Sequence, residues 1–539
     1  MSNLLSQASL VMIPSGYKED VVYSQIPTNG NGDLSFTRAS NGTRINSAGL
    51  VEVCPWNLLL NTNTLSSWDL EGGALTSGFT APDSTSTAYK YVQVPGGGLY
   101  SGSASVTSGN KTASVWLKSV SGTSITCIIG DGDASNTTVV TVTGDWQLFT
   151  ATYTTATSRP SLYIYAISNA SGIYVWHPQL NIGSTAKPYF PTTDRLNVPR
   201  LTYQNGGGGC PSLLLEKQST NLVTYSEDFS QANWVKASAG TGSVPVVTTN
   251  YATSPDGTQN ADLVVFDRGA GNTSSDFSWL YQTFVTASAT YTMTCYVKAA
   301  TSGDIGKNLS WRNFGTGGMW SVNLTNEWQR IVVQETAAGG VAEVGFYNRG
   351  TYSTGNSVSV LMWGFQAEQS SYSTSYIQTT SSSATRVADA CSKTGISSLI
   401  GQTEGVLFCD FEFVGYGSVA QWIAFLIGAA GDYIGFYTNS SNKIVMEVSS
   451  GGPVFLDVSI TLNVGTRYKM AVAYKANDFA FYVNGSQISI DASGSVPSCS
   501  EFNFNYNTTA ANIATNKYNQ AALFKTRLTN SELASLTTI

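Results

Sequence analysis

The sequence predicts an all-β protein, built of tandem antiparallel β-sandwich domains of the jelly-roll type with one further sandwich at the carboxyl end. Three observations carry this expectation. The middle of the chain is a duplication, short alternating apolar runs recur about every ten residues between Gly, Ser, Thr and Asn clusters, and convincing helical segments are few. At ~100 to 200 residues per domain, a chain of 539 residues should hold three or four cores.

Taken in order, residues 1–53 form a separate amino-terminal segment. The duplication follows. Asn57-Leu-Leu-Leu returns as Asn221-Leu-Val-Thr, Trp68 as Trp234, and Ala81-Pro-Asp-Ser as Ser254-Pro-Asp-Gly. Val115-Trp-Leu-Lys returns as Cys295-Tyr-Val-Lys, and Asp145-Trp-Gln as Glu327-Trp-Gln. Trp176, Gln179 and Tyr189 correspond to Trp363, Gln366 and Tyr376. The pairs keep their order while the offset only grows, from 164 to 187, which is the signature of one unit copied with small loop insertions. The copies are expected as jelly rolls of eight to ten strands over Cys54 to Asp194 and Asn221 to Val387. Trp146 and Trp328 each open a strand and are expected to point inward because of their large apolar area. Asn205 and the four glycines after it mark 195–220 as a Gly-rich linker, since such a run loses the most entropy on ordering. Residues 388–401, after the Ser381-Ser-Ser-Ala-Thr stretch, form a second linker.

The last unit, 402–539, alternates over Val406 to Phe413, Tyr433 to Tyr437, Tyr468 to Tyr474 and Phe479 to Ile488. Asn484-Gly485 between apolar runs predicts a type I′ hairpin, because both residues accept positive φ. Thr529 and Glu532 predict a capping box at the start of a short terminal helix.

Composition narrows the function. Charged residues are only 11% of the chain, against roughly 25% in ordinary proteins, so the surface is neutral and rich in hydroxyls. With 27 basic and 34 acidic residues, no cationic excess is present to neutralise a phosphate backbone or an anionic membrane. No nucleic-acid or membrane partner is expected. No apolar run of about 18 residues occurs, and Met1 to Ser15 lack the cation of a secretory signal, so assembly in a bacterial cytoplasm is expected. The seven cysteines, Cys54, Cys127, Cys210, Cys295, Cys391, Cys409 and Cys499, are odd in number and contain no C-x-x-C pair. They are read as small buried side chains in strands, without disulfides or zinc.

Several strings resemble known modules. Val198-Pro-Arg-Leu-Thr-Tyr through Leu213-Leu-Leu-Glu-Lys-Gln-Ser-Thr-Asn-Leu222, Tyr225-Ser-Glu-Asp-Phe, Thr374-Ser-Tyr-Ile-Gln and Thr385-Arg-Val-Ala-Asp resemble appendage proteins of tailed bacteriophages. So do Ala8-Ser-Leu-Val-Met-Ile-Pro and Phe36-Thr-Arg-Ala-Ser-Asn-Gly-Thr-Arg44 near the start. Gly465-Thr-Arg-Tyr-Lys, Phe481-Tyr-Val-Asn-Gly and Ala522-Leu-Phe-Lys-Thr-Arg resemble concanavalin A-like, laminin-G-like lectin domains. The resemblance implies a phage fibre or appendage subunit with tandem carbohydrate-binding-module-like jelly rolls and a lectin-like tip. It also implies a virion location, docking on other virion proteins through residues 1–53, and a homotrimeric state.

The search for chemistry yields no catalytic residue. Asp410 and Glu412 have the even spacing of two carboxylates on one strand face, as a glycoside hydrolase requires, but the E-x-D-x-x-E string of concanavalin-type hydrolases is absent. They read as an alternating strand with its polar face in water. His177, the only histidine, precedes Pro178, and no G-x-S-x-G elbow occurs. It reads as structural, with Phe365 in the matching place of the second copy. Asp131-Gly-Asp-Ala-Ser-Asn136 lacks the glycine and glutamate of a calcium loop and reads as a polar hairpin turn. No metal or cofactor is expected. Sugar binding relies on exposed aromatic faces, and Trp422, Tyr433 and Tyr437, near Gly428, Gly431 and Gly435, are the candidate glycan-binding residues. The expected function is a non-enzymatic virion fibre, of head or tail, that grips glycans by multiplicity. A polysaccharide depolymerase and a bacterial surface adhesin are the alternatives.

Overall fold

The computed structural model describes residues 2–101, 109–155, 162–168, 170–204, 207–312, 319–417, 420–429, 431–457, 460–504 and 514–539. Almost all regular structure is antiparallel sheet, with helices only at Ser2–Leu5 and Asn530–Thr537 and in three short 3₁₀ turns among these residues. The chain forms two compact units, 52–196 with 256–260, and 1–51 with 197–255 and 261–539.

The smaller unit is a sandwich of two five-stranded sheets. One carries the long strands Gly109–Ser119, Gln147–Thr155 and Ile173–Ile182, flanked by Ala88–Val92 and Ala74–Phe79. Val115, Leu117, Cys127, Ile129, Ile164 and Val175 fill the space between the sheets. In the larger unit, the second copy has the same plan drawn out. Its strands Phe277–Ala299 and Gln329–Arg349 run through both layers of an eight-stranded sheet around Trp234, Val264, Leu280, Trp311 and Phe346. The corresponding stretches of the first copy, 102–108 and 156–161, lie outside the described residues.

The duplication is visible in individual hydrogen bonds. Asn57 Oδ1 accepts from Leu180 N (3.2 Å) while its amide donates to Phe190 O (2.8 Å). Asn221 repeats both bonds, from Ala367 N (3.0 Å) and to Ile377 O (2.8 Å). Gln179 accepts from Phe190 N as Gln366 does from Ile377 N. The Trp68 indole donates to Leu60 O and that of Trp234 to Tyr225 O, both at 3.0 Å. These buried polar groups are satisfied in the same way twice, which fixes the shared ancestry at the level of atoms.

Trp146 and Trp328 do precede strands Gln147–Thr155 and Gln329–Arg349, but they are half-buried and lie on small satellite clusters instead of in the cores. Trp146 sits beside Phe79, Trp116 and Trp176, and Trp328 beside Tyr296, Trp363 and Tyr376. The core face of each strand is taken by Phe149, Ala151 and Tyr153 and by Ile331 and Val333, with which the two tryptophans are out of phase. The match for His177 is likewise Gly364 and not Phe365: both sit at positive φ (47° and 65°) next to a bulge that shifts the register between neighbouring strands. The cysteines are buried except Cys210, which is exposed beside the glycine run.

The carboxyl-terminal sandwich packs an eight-stranded sheet on a nine-stranded one around Leu407, Phe411, Leu426, Phe436, Met470, Phe481 and Phe502. Its strands come from more of the chain than 402–539. Leu10–Met12 pairs with Asn516–Phe524, and Leu34–Thr37 pairs with Ala390–Lys393. The stretch read as a Gly-rich linker contributes Arg200–Thr202 and Ser212–Leu215, which extend the eight-stranded sheet from Asn516–Phe524. Leu10, Met12, Leu34, Phe36, Leu213 and Leu215 are all in the core, because alternate apolar residues hold a short segment in a sheet by burial even beside glycines. Ile396 and Ile400, in the second expected linker, are also buried there. Gly207, Gly208 and Gly209 all lie at positive φ, between 69° and 79°, while Asn205 and Gly206 lie outside the described residues. The Asn484-Gly485 hairpin has φ of 49° and 83° with Val483 opposite Ser486, and the Thr529–Glu532 capping box is closed from both sides.

A buried ionic network ties these pieces together. Arg38 from the amino-terminal segment donates to Asp389 Oδ1 (2.9 Å), and Arg200 reaches both Asp389 Oδ2 and Glu216 (2.6 Å). Arg386 adds a third guanidinium at 3.0 Å from Glu216, whose carboxylate also accepts from Ser375 N and Oγ. Burial pushes the Glu216 carboxyl up, but Arg386 and Arg200 overcome it and hold its pKa down at about 2, against 4.5 ordinarily. A carboxylate depressed in the folded state stabilises fully above the unfolded pKa and progressively less as pH falls from about 4.5 towards 2. At about 1.4 kcal/mol per pKa unit the loss is on the order of 3 kcal/mol. Thermal melting of the full chain from pH 6 to 2 should therefore show a fall that is shallower in Glu216→Gln.

Candidate functional site

Strands Gln421–Gly428 and Tyr433–Thr438 form a hairpin with Trp422 opposite Tyr437 and Ile427 opposite Tyr433. Simple alternation would put Trp422 and Phe425 on opposite faces, because they are three apart. A bulge between Trp422 and Ala424 changes the phase, so Ile423, Ala424 and Leu426 enter the core and Trp422, Phe425 and Ile427 share the outer face. Phe425 lies across Gly435, where any Cβ would collide with the ring.

The outer face is therefore an aromatic surface. Phe425 is fully buried beneath three half-buried rings, with Trp422 at 4.5 Å, Tyr433 at 5.8 Å and Tyr437 at 6.2 Å between centroids. Trp422 and Tyr437 are 4.8 Å apart. Polar groups flank the rings. Tyr437 donates its hydroxyl to Glu447 Oε2 (2.7 Å), and burial together with that carboxylate keeps the phenol protonated well above its usual range. On the other side Asn503 stands opposite Phe425 and Glu501 opposite Ile427. The three residues singled out in the sequence thus converge on one face, whereas Phe425 and Glu447 were missed, and Gly435 lies within a strand instead of at a turn. The bulge that recruits Phe425 leaves no mark in the alternation, and a buried ring is not itself a contact residue.

Asp410 and Glu412, read in the sequence as the polar face of a strand, are both engaged in ion pairs. Asp410 does not face water: it is buried, receives the Arg467 fork (2.8 Å from Nε and 2.5 Å from Nη2) and accepts from Asn519. Glu412 pairs with Lys517 at 2.8 Å. His177 is stacked between Trp176 and Tyr189, with centroids 3.3 and 3.7 Å away, and burial lowers its pKa to about 4, so it is a neutral ring at pH 7. The Asp131 turn closes a hairpin whose strands pair Gly130 with Thr137, its carboxylate accepting from Asp133 N and Asn136.

No protein-family model matches the chain, and no curated protein matches it. Among solved structures, a trans-sialidase-active mutant of Trypanosoma rangeli sialidase is 11% identical with a TM-score of 0.23. The likeness covers 27% of this chain and only 25% of that one. The tandem CBM22 domains of Paenibacillus barcinonensis Xyn10C are 12% identical over 60% of this chain and 96% of theirs, at a TM-score of 0.20. Domains LG4-5 of the mouse laminin α1 chain are 11% identical over 49% and 93%, at 0.19. Likenesses of this size carry no functional argument.

Proposed function

We propose that the chain is a non-enzymatic fibre subunit of a tailed-phage virion, of head or tail, whose carboxyl-terminal sandwich holds host or environmental glycans on the Trp422, Tyr433 and Tyr437 face. The single observation behind the glycan reading is that face: half-exposed Trp422 and Tyr437 rings 4.8 Å apart, with Tyr433 edge-on to Trp422, flanked by Glu447, Glu501 and Asn503. Rings supply a flat apolar surface for a pyranose, and amide and carboxylate oxygens supply hydrogen bonds to its hydroxyls. The phage-like strings and the hydroxyl-rich, weakly charged composition support the virion reading. The engagement of Asp410, Glu412 and His177 in ion pairs and stacks supports a role without catalysis.

Each contact is weak, and copies linked in a homotrimer raise the avidity without new contacts. Docking to other virion proteins falls to exposed residues of the amino-terminal segment such as Ile13 and Tyr23, since its strands are taken up in the sandwich. In affinity electrophoresis through gels containing bacterial surface polysaccharide, the full chain should be retarded. Trp422→Ala should weaken that retardation by about tenfold or more, as loss of a central aromatic anchor does. Equal retardation of both, or new reducing ends in the polysaccharide, would count against the reading.

A further inference from the structure

A second convergence of rings and charges lies in the larger unit. It is a cleft of about 620 Å³, in the ~300–1,000 Å³ range of small-ligand sites. Its walls come from sequence-distant pieces: residues 43–45 and 49–51, residues 202–203, the second copy through Tyr296 and Trp328, and the carboxyl-terminal sandwich through Glu412 and Lys517.

The charged groups around it are mostly paired, and the balance leans slightly to arginine. Lys517 and Glu412 neutralise each other. Glu216, the other carboxylate in the wall, is already held by Arg200 and Arg386, and Asp389 by Arg38 and Arg200. Arg44 and Arg330 also line the cleft. Counting Glu368, which accepts from Thr374 in the wall, and Glu227, which accepts from the Tyr376 hydroxyl, five arginines stand against four carboxylates in a chain whose formal charge is −7.

Arg330 is fixed for recognition. Its Nη2 donates to Thr294 Oγ1 (3.1 Å) and Thr374 O (2.9 Å), and the guanidinium lies 5.6 Å over the Tyr296 ring. Its Nε is buried and has no hydrogen-bond partner among the described residues, so protein acceptors do not saturate the guanidinium. Trp328, half-buried, is oriented by its indole bond to Thr253 O (3.1 Å).

We propose that this cleft binds a carboxylate-bearing saccharide, the sugar ring lying on Trp328 and the carboxylate meeting Arg330, whose guanidinium rests on Tyr296. The proposal rests on the glycan-binding reading and gives it a substrate class, acidic glycans of the uronic-acid kind. The Trp328 ring distinguishes this from a site for a bare anion, and the incompletely bonded Arg330 guanidinium distinguishes it from a site for neutral sugar.

The test is calorimetric titration of the full chain with tetragalacturonate and a hyaluronan tetrasaccharide, each beside its carboxyl-reduced counterpart, and with a poly-glutamate peptide. At least one acidic tetrasaccharide should bind, and reduction of its carboxyls should weaken binding about tenfold or more, as loss of a charged hydrogen bond does. That comparison needs no variant. Arg330→Gln should give a similar loss, while Lys525→Gln, an equal charge change at an exposed residue outside the cleft, should not. Equal binding of acidic and reduced forms, unaltered binding by Arg330→Gln, binding of the peptide instead, or no binding of either acid would overturn the proposal. If polysaccharide retardation sensitive to Trp422→Ala persists in that case, only the cleft assignment falls; if it is absent too, the glycan reading falls with it.

Discussion

Replacing Asp389 with Ala should destabilise the larger unit by about 3–5 kcal/mol, the cost of breaking a buried ion pair and stranding its partners. Asp389 is fully buried and its two oxygens serve Arg38 and Arg200, while its backbone N–H and carboxylate also bond the Glu216 backbone. Without it, two guanidiniums remain in a site that holds one carboxylate, Glu216, already shared with Arg386. The loss should also loosen strand Leu34–Thr37, because Arg38 directly follows it and is anchored by Asp389 and by Val198 O. Chemical denaturation of the variant, with hydrogen exchange at residues 34–37, checks both effects. Unchanged stability with unchanged exchange would mean that the network does not hold the segment.

Trp234→Ala should cost about 3–5 kcal/mol, the usual cost of emptying a buried indole site. Trp234 is 1% exposed, lies 4.9 Å from Phe229 and 5.0 Å from Phe365, and bonds Tyr225 O through its indole. Its neighbours are large rings, Phe365 within strand Ser357–Glu368 and Phe229 in a turn fixed by its backbone N–H bond to Asp262, and cannot close the gap by a rotamer change. Trp328→Ala should cost less than half as much, since the side chain is half-buried on a satellite cluster and water can take up much of the space it leaves. Denaturation midpoints for both variants give the comparison, and equal losses would contradict the placement of the two rings.

These contrasts show where the sequence was readable. The duplication was legible because paired residues such as Asn57 and Asn221 do the same buried hydrogen-bonding work, which tolerates little substitution. The Asn484-Gly485 turn and the Thr529–Glu532 cap were legible because their determinants are local. Partners far apart in sequence were not. Nothing near Arg200 announces Asp389, and strands of three or four residues such as Leu10–Met12 and Ser212–Leu215 are too short for periodicity to stand out. The signal that could have found the network lay in the phage-like strings themselves: Phe36-Thr-Arg38, Pro199-Arg200 and Thr385-Arg386-Val-Ala-Asp389 each carry a charge inside an apolar setting. Trp146 and Trp328 misled because area favours burial without saying which face of a sheet receives the ring. The aromatic face was legible as three residues near glycines, but its arrangement depends on a bulge that only the paired strand reveals.

The most direct measurement is the indole N–H spectrum of the full chain, ¹⁵N-labelled at tryptophan, as a retarding polysaccharide fragment is titrated in. The Trp422 signal, assigned by its disappearance in Trp422→Phe, should shift and saturate in step with binding while the number of reducing ends stays constant. Saturable binding that leaves that indole unmoved, or a rise in reducing ends as the fragment is consumed, would contradict a sugar held on this face without being cut.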